Sequence, residues 1–192
     1  LAKFCPHFHL SLQSGCDATL KRMNRHYTTE DYLRRCGILR KWFDHPAITT
    51  DVIVGFPGET QEEFEITREF LKKVHFYEMH VFKYSKRAGT RAAVMPDQVP
   101  EQVKGRRSDV LLELEASMSR EYREHFIGSS VWVLFEDMAE VEGRKYIIGH
   151  TPQYVKAALA VKDGEENRLS GQILCLKAAG LLGGDLLEVG WQ

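Results

Sequence analysis

No stretch of this chain is long and apolar enough to cross a bilayer, and no signal peptide is read in it. Cysteine is scarce and scattered. The four thiols stand at Cys5, Cys16, Cys36 and Cys175, and no two have the C-x-x-C spacing of a zinc or redox site. A three-cysteine cluster motif is also missing, so the sequence nominates no metal ligand and no catalytic nucleophile. Without a secreted disulfide pattern, the thiols read as reduced and the compartment as cytoplasmic. Net charge is nearly absent too: 26 Lys and Arg face 27 Asp and Glu, and a balance of -1 names no partner. An initiating Met is lacking, and the 192 residues read as a piece of a longer protein.

Charge is distributed more tellingly than it is summed. Residues 1–127 carry 20 basic against 18 acidic side chains (+2), and residues 128–192 carry 6 against 9 (-3). Basic residues gather at Lys21, Arg22 and Arg25, and again at Lys83, Lys86, Arg87 and Arg91. Such clusters suit phosphates, although most are solvated faces.

The most informative segment is Asp51-Val-Ile-Val-Gly-Phe-Pro-Gly-Glu-Thr60. Its apolar run ending in a Gly/Pro turn predicts a buried parallel strand. Residues 61–74 then place apolar groups at helical spacing, with Thr60 and Glu63 as a capping box. Strand, glycine turn and helix N-terminus form a cradle for an anion or cofactor, or simply a structural loop. Around this unit, His7–Leu12 predicts a strand and Ala18–Met23 a short helix. Thr28 starts a helix with apolar stripe Tyr32, Cys36, Leu39 and Phe43, residues 48–54 a second strand, and Tyr77–Tyr84 a third. The order β-α-β-α-β implies a parallel sheet or part of a (β/α) barrel, too few strands to close one, with an open sheet edge suited to self-association. Residues 85–99 read as a flexible basic loop. A long helix from Pro100 buries Leu111, Leu114, Met118, Tyr122 and Phe126 and stops at Gly128. The domain boundary is drawn near 127.

Beyond it the period becomes strand-like. Val131–Glu136, Lys145–Gly149, Tyr154–Val161, Gln172–Lys177 and Leu186–Val189 predict five short strands, hence a small barrel of the oligonucleotide-binding type over 128–192. The fold class is α/β followed by all-β.

The words His9-Leu-Ser-Leu-Gln-Ser-Gly15, Leu20-Lys-Arg-Met23 and Asp51–Thr60 together resemble the methylthiotransferase family of radical S-adenosylmethionine (SAM) enzymes. His80-Val-Phe-Lys-Tyr-Ser-Lys-Arg-Ala-Gly-Thr90 followed by Ala92-Ala93 is most similar to its threonylcarbamoyladenosine tRNA branch. The resemblance implies that 1–127 is the C-terminal part of a radical SAM barrel and 128–192 a TRAM domain, a small RNA-binding barrel. It further implies addition of a methylthio group to carbon 2 of a modified adenosine beside the tRNA anticodon. SAM and two 4Fe-4S clusters would serve the whole enzyme, and the hard step belongs to those cofactors. The cluster cysteines of the family precede this segment, so this chain is expected to hold neither cluster, to need its N-terminal domains as partners, and to be inactive alone. Two other readings stay open: an isopentenyladenosine or ribosomal-protein methylthiotransferase, and a non-catalytic RNA-binding module.

By the same resemblance, Gln13 and Ser14 touch SAM at the barrel mouth, Ile53, Val54 and Gly55 back its adenine, and Phe82 and Tyr84 line it from the next strand. Lys83, Lys86, Arg87 and Arg91 are expected to contact tRNA phosphates. In the terminal barrel, Tyr146, Tyr154 and Lys156 are expected to stack on and pair with RNA. His7 and His9 read as satisfied core histidines rather than ligands.

Overall fold

The computed structural model describes residues 3–162 and 166–191. It divides into two compact units, Phe8–Ser119 and Arg120–Gln192, the latter joined by the N-terminal residues to His7.

In the Phe8–Ser119 unit the elements run β1 (His7–His9), α1 (Asp17–Arg22), α2 (Thr29–Trp42), β2 (Ala47–Val54), α3 (Gln61–Val74), β3 (Glu78–Lys83), a 3₁₀ turn at Arg91–Val94 and α4 (Glu101–Glu124), whose last turns pass the boundary. The sheet order is β1-β2-β3. β2 pairs β3 in parallel, Asp51 opposite His80 and Ile53 opposite Phe82. β1 is shorter than the alternation predicts. Gln13 takes a left-handed backbone (φ 72°), which breaks the strand, yet Leu10 and Gln13 still donate to the carbonyls of Thr49 and Asp51.

The predicted capping box of Thr60 with Glu63 forms on α3, and Thr28 with Asp31 makes a second on α2. Helical stripes and one sheet face then meet. Leu12, Tyr32, Cys36, Ile48, Val52, Val54, Phe64, Leu71, Val74, Phe76, Met79, Leu111 and Met118 form one buried cluster. Because side chains alternate along a strand, Asp51, Ile53, His80 and Phe82 lie on the opposite face, where Phe82 is 52% exposed.

The second unit is a closed five-stranded barrel in the order β4-β5-β6-β8-β7, built from β4 (Ser130–Val141), β5 (Arg144–His150), β6 (Lys156–Ala160), β7 (Ile173–Leu182) and β8 (Leu186–Gly190), with a short α5 (Glu166–Leu169). Only the β6–β8 pair is parallel. Inward residues include Val131, Val133, Phe135, Ile147, Leu176, Leu187 and Val189. β4 and β7 outrun their predicted ends, each with a register shift, at Phe135/Asp137 and at Ala178/Gly180, where the strand bends and continues. At Gly149 a Cβ would stand 2.1 Å from the Leu134 carbonyl oxygen, so this strand crossing requires glycine.

Candidate functional site

The turn after β2 is held from three directions. Gly55 has φ +72°, and a Cβ there would meet Lys104 Cγ at 2.1 Å. The Gly55 N–H donates to Glu59 Oε1 at 2.9 Å, and Arg107 Nη1 donates to the same oxygen at 2.6 Å. Glu59 and Arg107 are both buried. Burial pushes the Glu59 carboxyl up, opposed by the Gly55 N–H and the Arg107 guanidinium. At the start of α3, Glu63 accepts from the Thr60 N–H and pairs with Arg22. The protein's own carboxylates thus occupy the Gly55 and Thr60 amides, and those donors of the predicted anion cradle are already engaged.

A cavity of 560 Å³ opens beside this turn, lined by Ile53, Phe56, Phe82, Lys83, Tyr84, Ser85, Arg87, Thr90 and Ala92. Its walls are chiefly apolar, with two cations at the rim. Phe56 and Tyr84 meet edge to face at 5.3 Å. The Tyr84 N–H donates to the Val54 carbonyl, yet its Oη is buried without a hydrogen-bond partner. A buried hydroxyl left unpaired costs about 1–3 kcal/mol. Flat apolar walls suit a planar heterocycle.

The structure brings Ile53, Phe82, Lys83, Tyr84 and Arg87 together here. Others go elsewhere. Val54 points into the core, 1% exposed. Ser14 is buried, with its hydroxyl against Thr67 Oγ1 at 3.2 Å. Gln13 is 9% exposed and bridges β2 through its backbone. Lys86 and Arg91 are exposed but do not line the cavity. The basic loop is more ordered than composition suggests: Thr90 caps the 3₁₀ turn, and Gln98 Nε2 donates to the carbonyls of Ala92 and Met95. Phe56, Ser85, Thr90 and Ala92 line the cavity but were given no site role in the sequence, although all four stand in the words quoted from it. Phe56 sits inside the Gly-Phe-Pro-Gly word, whereas Thr90 and Ala92 reach the cavity only because the loop folds back.

In the barrel, Tyr146 is 2% exposed, so its ring is a core side chain and presents no stacking face; its expected RNA role is corrected. Tyr154 is 58% exposed and stacks on His150, with centroids 4.3 Å apart and planes 13° apart. Glu136 Oε2 lies 2.6 Å from His150 Nδ1. Lys156 is exposed at the start of β6. Trp132, Leu134 and Ile173 join Tyr154 and His150 around a 310 Å³ hollow that also touches Cys5. Trp132, 56% exposed, was missed, although the in-out alternation of β4 places it outward.

Comparison with known proteins gives a consistent picture. Residues 1–71 match the Radical SAM superfamily. The threonylcarbamoyladenosine tRNA methylthiotransferase MtaB of Bacillus subtilis is 42% identical over 91% of this chain and 38% of its own length. The tRNA-2-methylthio-N(6)-dimethylallyladenosine synthase of Caldicellulosiruptor saccharolyticus is 45% identical over 75% of this chain and 31% of its own. MtaB of Thermotoga maritima is 46% identical over 70% of the chain. The chain spans about a third of the length of these curated relatives. By sequence, this chain is similar to the radical SAM tRNA methylthiotransferases, and its first 71 residues match the radical SAM family.

Proposed function

We infer that the chain is the C-terminal part of a tRNA methylthiotransferase, with residues 1–127 from a radical SAM barrel and 128–192 a TRAM domain, acting on carbon 2 of threonylcarbamoyladenosine. The observation that carries this reading is the 42% identity to a threonylcarbamoyladenosine enzyme over 91% of the chain, which extends through both units. A second reading, dimethylallyladenosine as substrate, is supported by synthases 45–46% identical over about three quarters of the chain.

The cavity fits one part of SAM. Ile53, Phe56 and Phe82 offer flat apolar contact to a purine. When bound and reduced by a cluster, SAM supplies a carbon radical, a chemistry no side chain here can generate. The chain's own contribution is orientation and exclusion of water. Lys83 and Arg87 at the rim suit phosphate, positioning RNA without reading its sequence. A 4Fe-4S cluster needs converging thiolates. Cys16 and Cys36 are buried, Cys5 and Cys175 exposed, and among the described residues no three cysteines meet. On this reading the clusters belong to other segments of the longer enzyme, and this chain alone is inactive. The outer sides of β1 and β3, the edges of the three-stranded sheet, are where those segments or a second copy would pair.

Nucleoside mass spectrometry on tRNA from a strain lacking the gene tests the reading. Selective loss of 2-methylthio-threonylcarbamoyladenosine is expected. Loss of the dimethylallyl analogue moves the protein to the sister branch, and unchanged tRNA in a strain without a redundant enzyme overturns both.

A further inference from the structure

The face of the sheet that carries the cavity also carries a cluster the proposed reaction does not use. His9 extends from β1, Asp51 from β2 and His80 from β3, so three adjacent strands converge on one point. His9 Nε2 lies 3.1 Å from Asp51 Oδ2, and His80 Nδ1 lies 3.1 Å from Asp51 Oδ1. The three ligand atoms all fall within 4.8 Å of one another. Donors around one tetrahedral zinc at its usual bond lengths stand roughly 3.3 Å apart, so a small inward movement would close the set on an ion.

The surroundings orient these donors. The remaining His9 nitrogen, Nδ1, sits 3.0 Å from Thr49 Oγ1. Ser11 Oγ donates to Asp51 Oδ2 at 2.8 Å. A hydrogen-bonded far nitrogen on a histidine and a braced carboxylate are what ligands in metal sites ordinarily have behind them. The His9 and His80 rings lie nearly parallel, with centroids 5.9 Å apart and planes 26° apart. These residues are reachable: the side chains of His9, Asp51 and His80 are 40%, 26% and 60% exposed.

We propose that His9, Asp51 and His80 form a mononuclear site for a divalent transition-metal ion, held by two imidazoles and one carboxylate. Nitrogen and oxygen donors without thiolate select zinc or ferrous iron over an iron–sulfur cluster. Three protein donors leave coordination positions open to water or an oxygen ligand. Those positions lie on the face that continues, two residues along β2 and β3, into the cavity walls Ile53 and Phe82. The ion would clip β1, β2 and β3 together. The inference does not depend on the methylthiotransferase reading.

The untagged 192-residue chain, stripped by chelator, is titrated with Co²⁺ and followed by visible absorption, then competed with Zn²⁺. One ion per chain is expected, with a d–d band that Zn²⁺ abolishes and a rise in melting temperature on Zn²⁺ addition. His80→Ala and Asp51→Asn should each lose the band, and Thr49→Val should weaken binding about 10-fold. His26→Ala, an exposed histidine elsewhere, should titrate like the parent. Circular dichroism checks folding. Should Asp51→Asn unfold, His80→Ala decides, because its side chain is 60% exposed. No band in the parent, or a band that survives both substitutions, overturns the site and leaves a hydrogen-bonded cluster only.

Discussion

At the scale of single residues, two positions around the cavity behave in opposite ways. Gly55 is bound by geometry: its left-handed backbone and the Lys104 side chain leave no room for a Cβ. Gly55→Ala should lower stability by about 2 kcal/mol, visible as a reduced denaturant midpoint at unchanged slope. Tyr84 is bound by an unmet need. Its buried hydroxyl has no partner, so Tyr84→Phe should leave thermal stability unchanged or slightly raised, as a buried polar group is removed. If the hydroxyl instead meets a nucleoside, the same substitution should weaken SAM binding several-fold, read by ligand-observed NMR. A marked loss of stability with unaltered SAM binding would assign the hydroxyl a structural partner.

At the scale of elements, α3 shows how much a cap contributes. Thr60 accepts from the Glu63 N–H, and Glu63 returns the bond to Thr60 and pairs with Arg22. Thr60→Ala should cost about 1 kcal/mol. Burial pulls the Glu63 carboxyl up, but Arg22, the Thr60 N–H and Thr19 outweigh it and hold it below the usual 4.5. A depressed acid stabilises the fold above its unfolded value, and that contribution is lost as pH falls through the folded value. Chemical denaturation at pH 7 and at pH 3 should therefore show a smaller gap between parent and Glu63→Gln at the lower pH. The same helix explains what was legible in the sequence. Its bounds follow from a capping box and an apolar stripe, both local signals, and the structure returns residues 61–74 unchanged. The cavity was half legible: Ile53, Phe82 and Tyr84 were named through the family resemblance, but Thr90 and Ala92 come from a loop whose return depends on Gln98 and on Asp97, which accepts the Gly58 N–H. The misreading of Tyr146 has a similar cause. Tyr146 and Ile147 are consecutive and face opposite sides of β5, yet both are buried, so alternation alone does not tell which of the two is exposed.

At the scale of the whole molecule, the RNA contacts proposed for the two units differ in kind. The segment to residue 127 has a balance of +2 and its cations cluster at Lys83, Lys86, Arg87 and Arg91, whereas the remainder has -3 but presents Trp132, Tyr154 and His150 at its surface. Charge and stacking leave different thermodynamic marks. Phosphate contacts release counterions, so each one removed reduces the slope of log affinity against log salt by about 0.7–0.9. Stacking carries little salt dependence and is worth about 1–3 kcal/mol per base. Replacing the four loop cations by Gln should thus weaken tRNA binding most at low salt and flatten the slope. Trp132→Ala should weaken it by a similar factor at every salt concentration, with the slope kept. Filter binding over a salt series separates the two. A flattened slope in Trp132→Ala would mean the barrel disturbs the cationic loop rather than contacting bases, and an unchanged slope in the loop variant would remove those four side chains from the RNA interface.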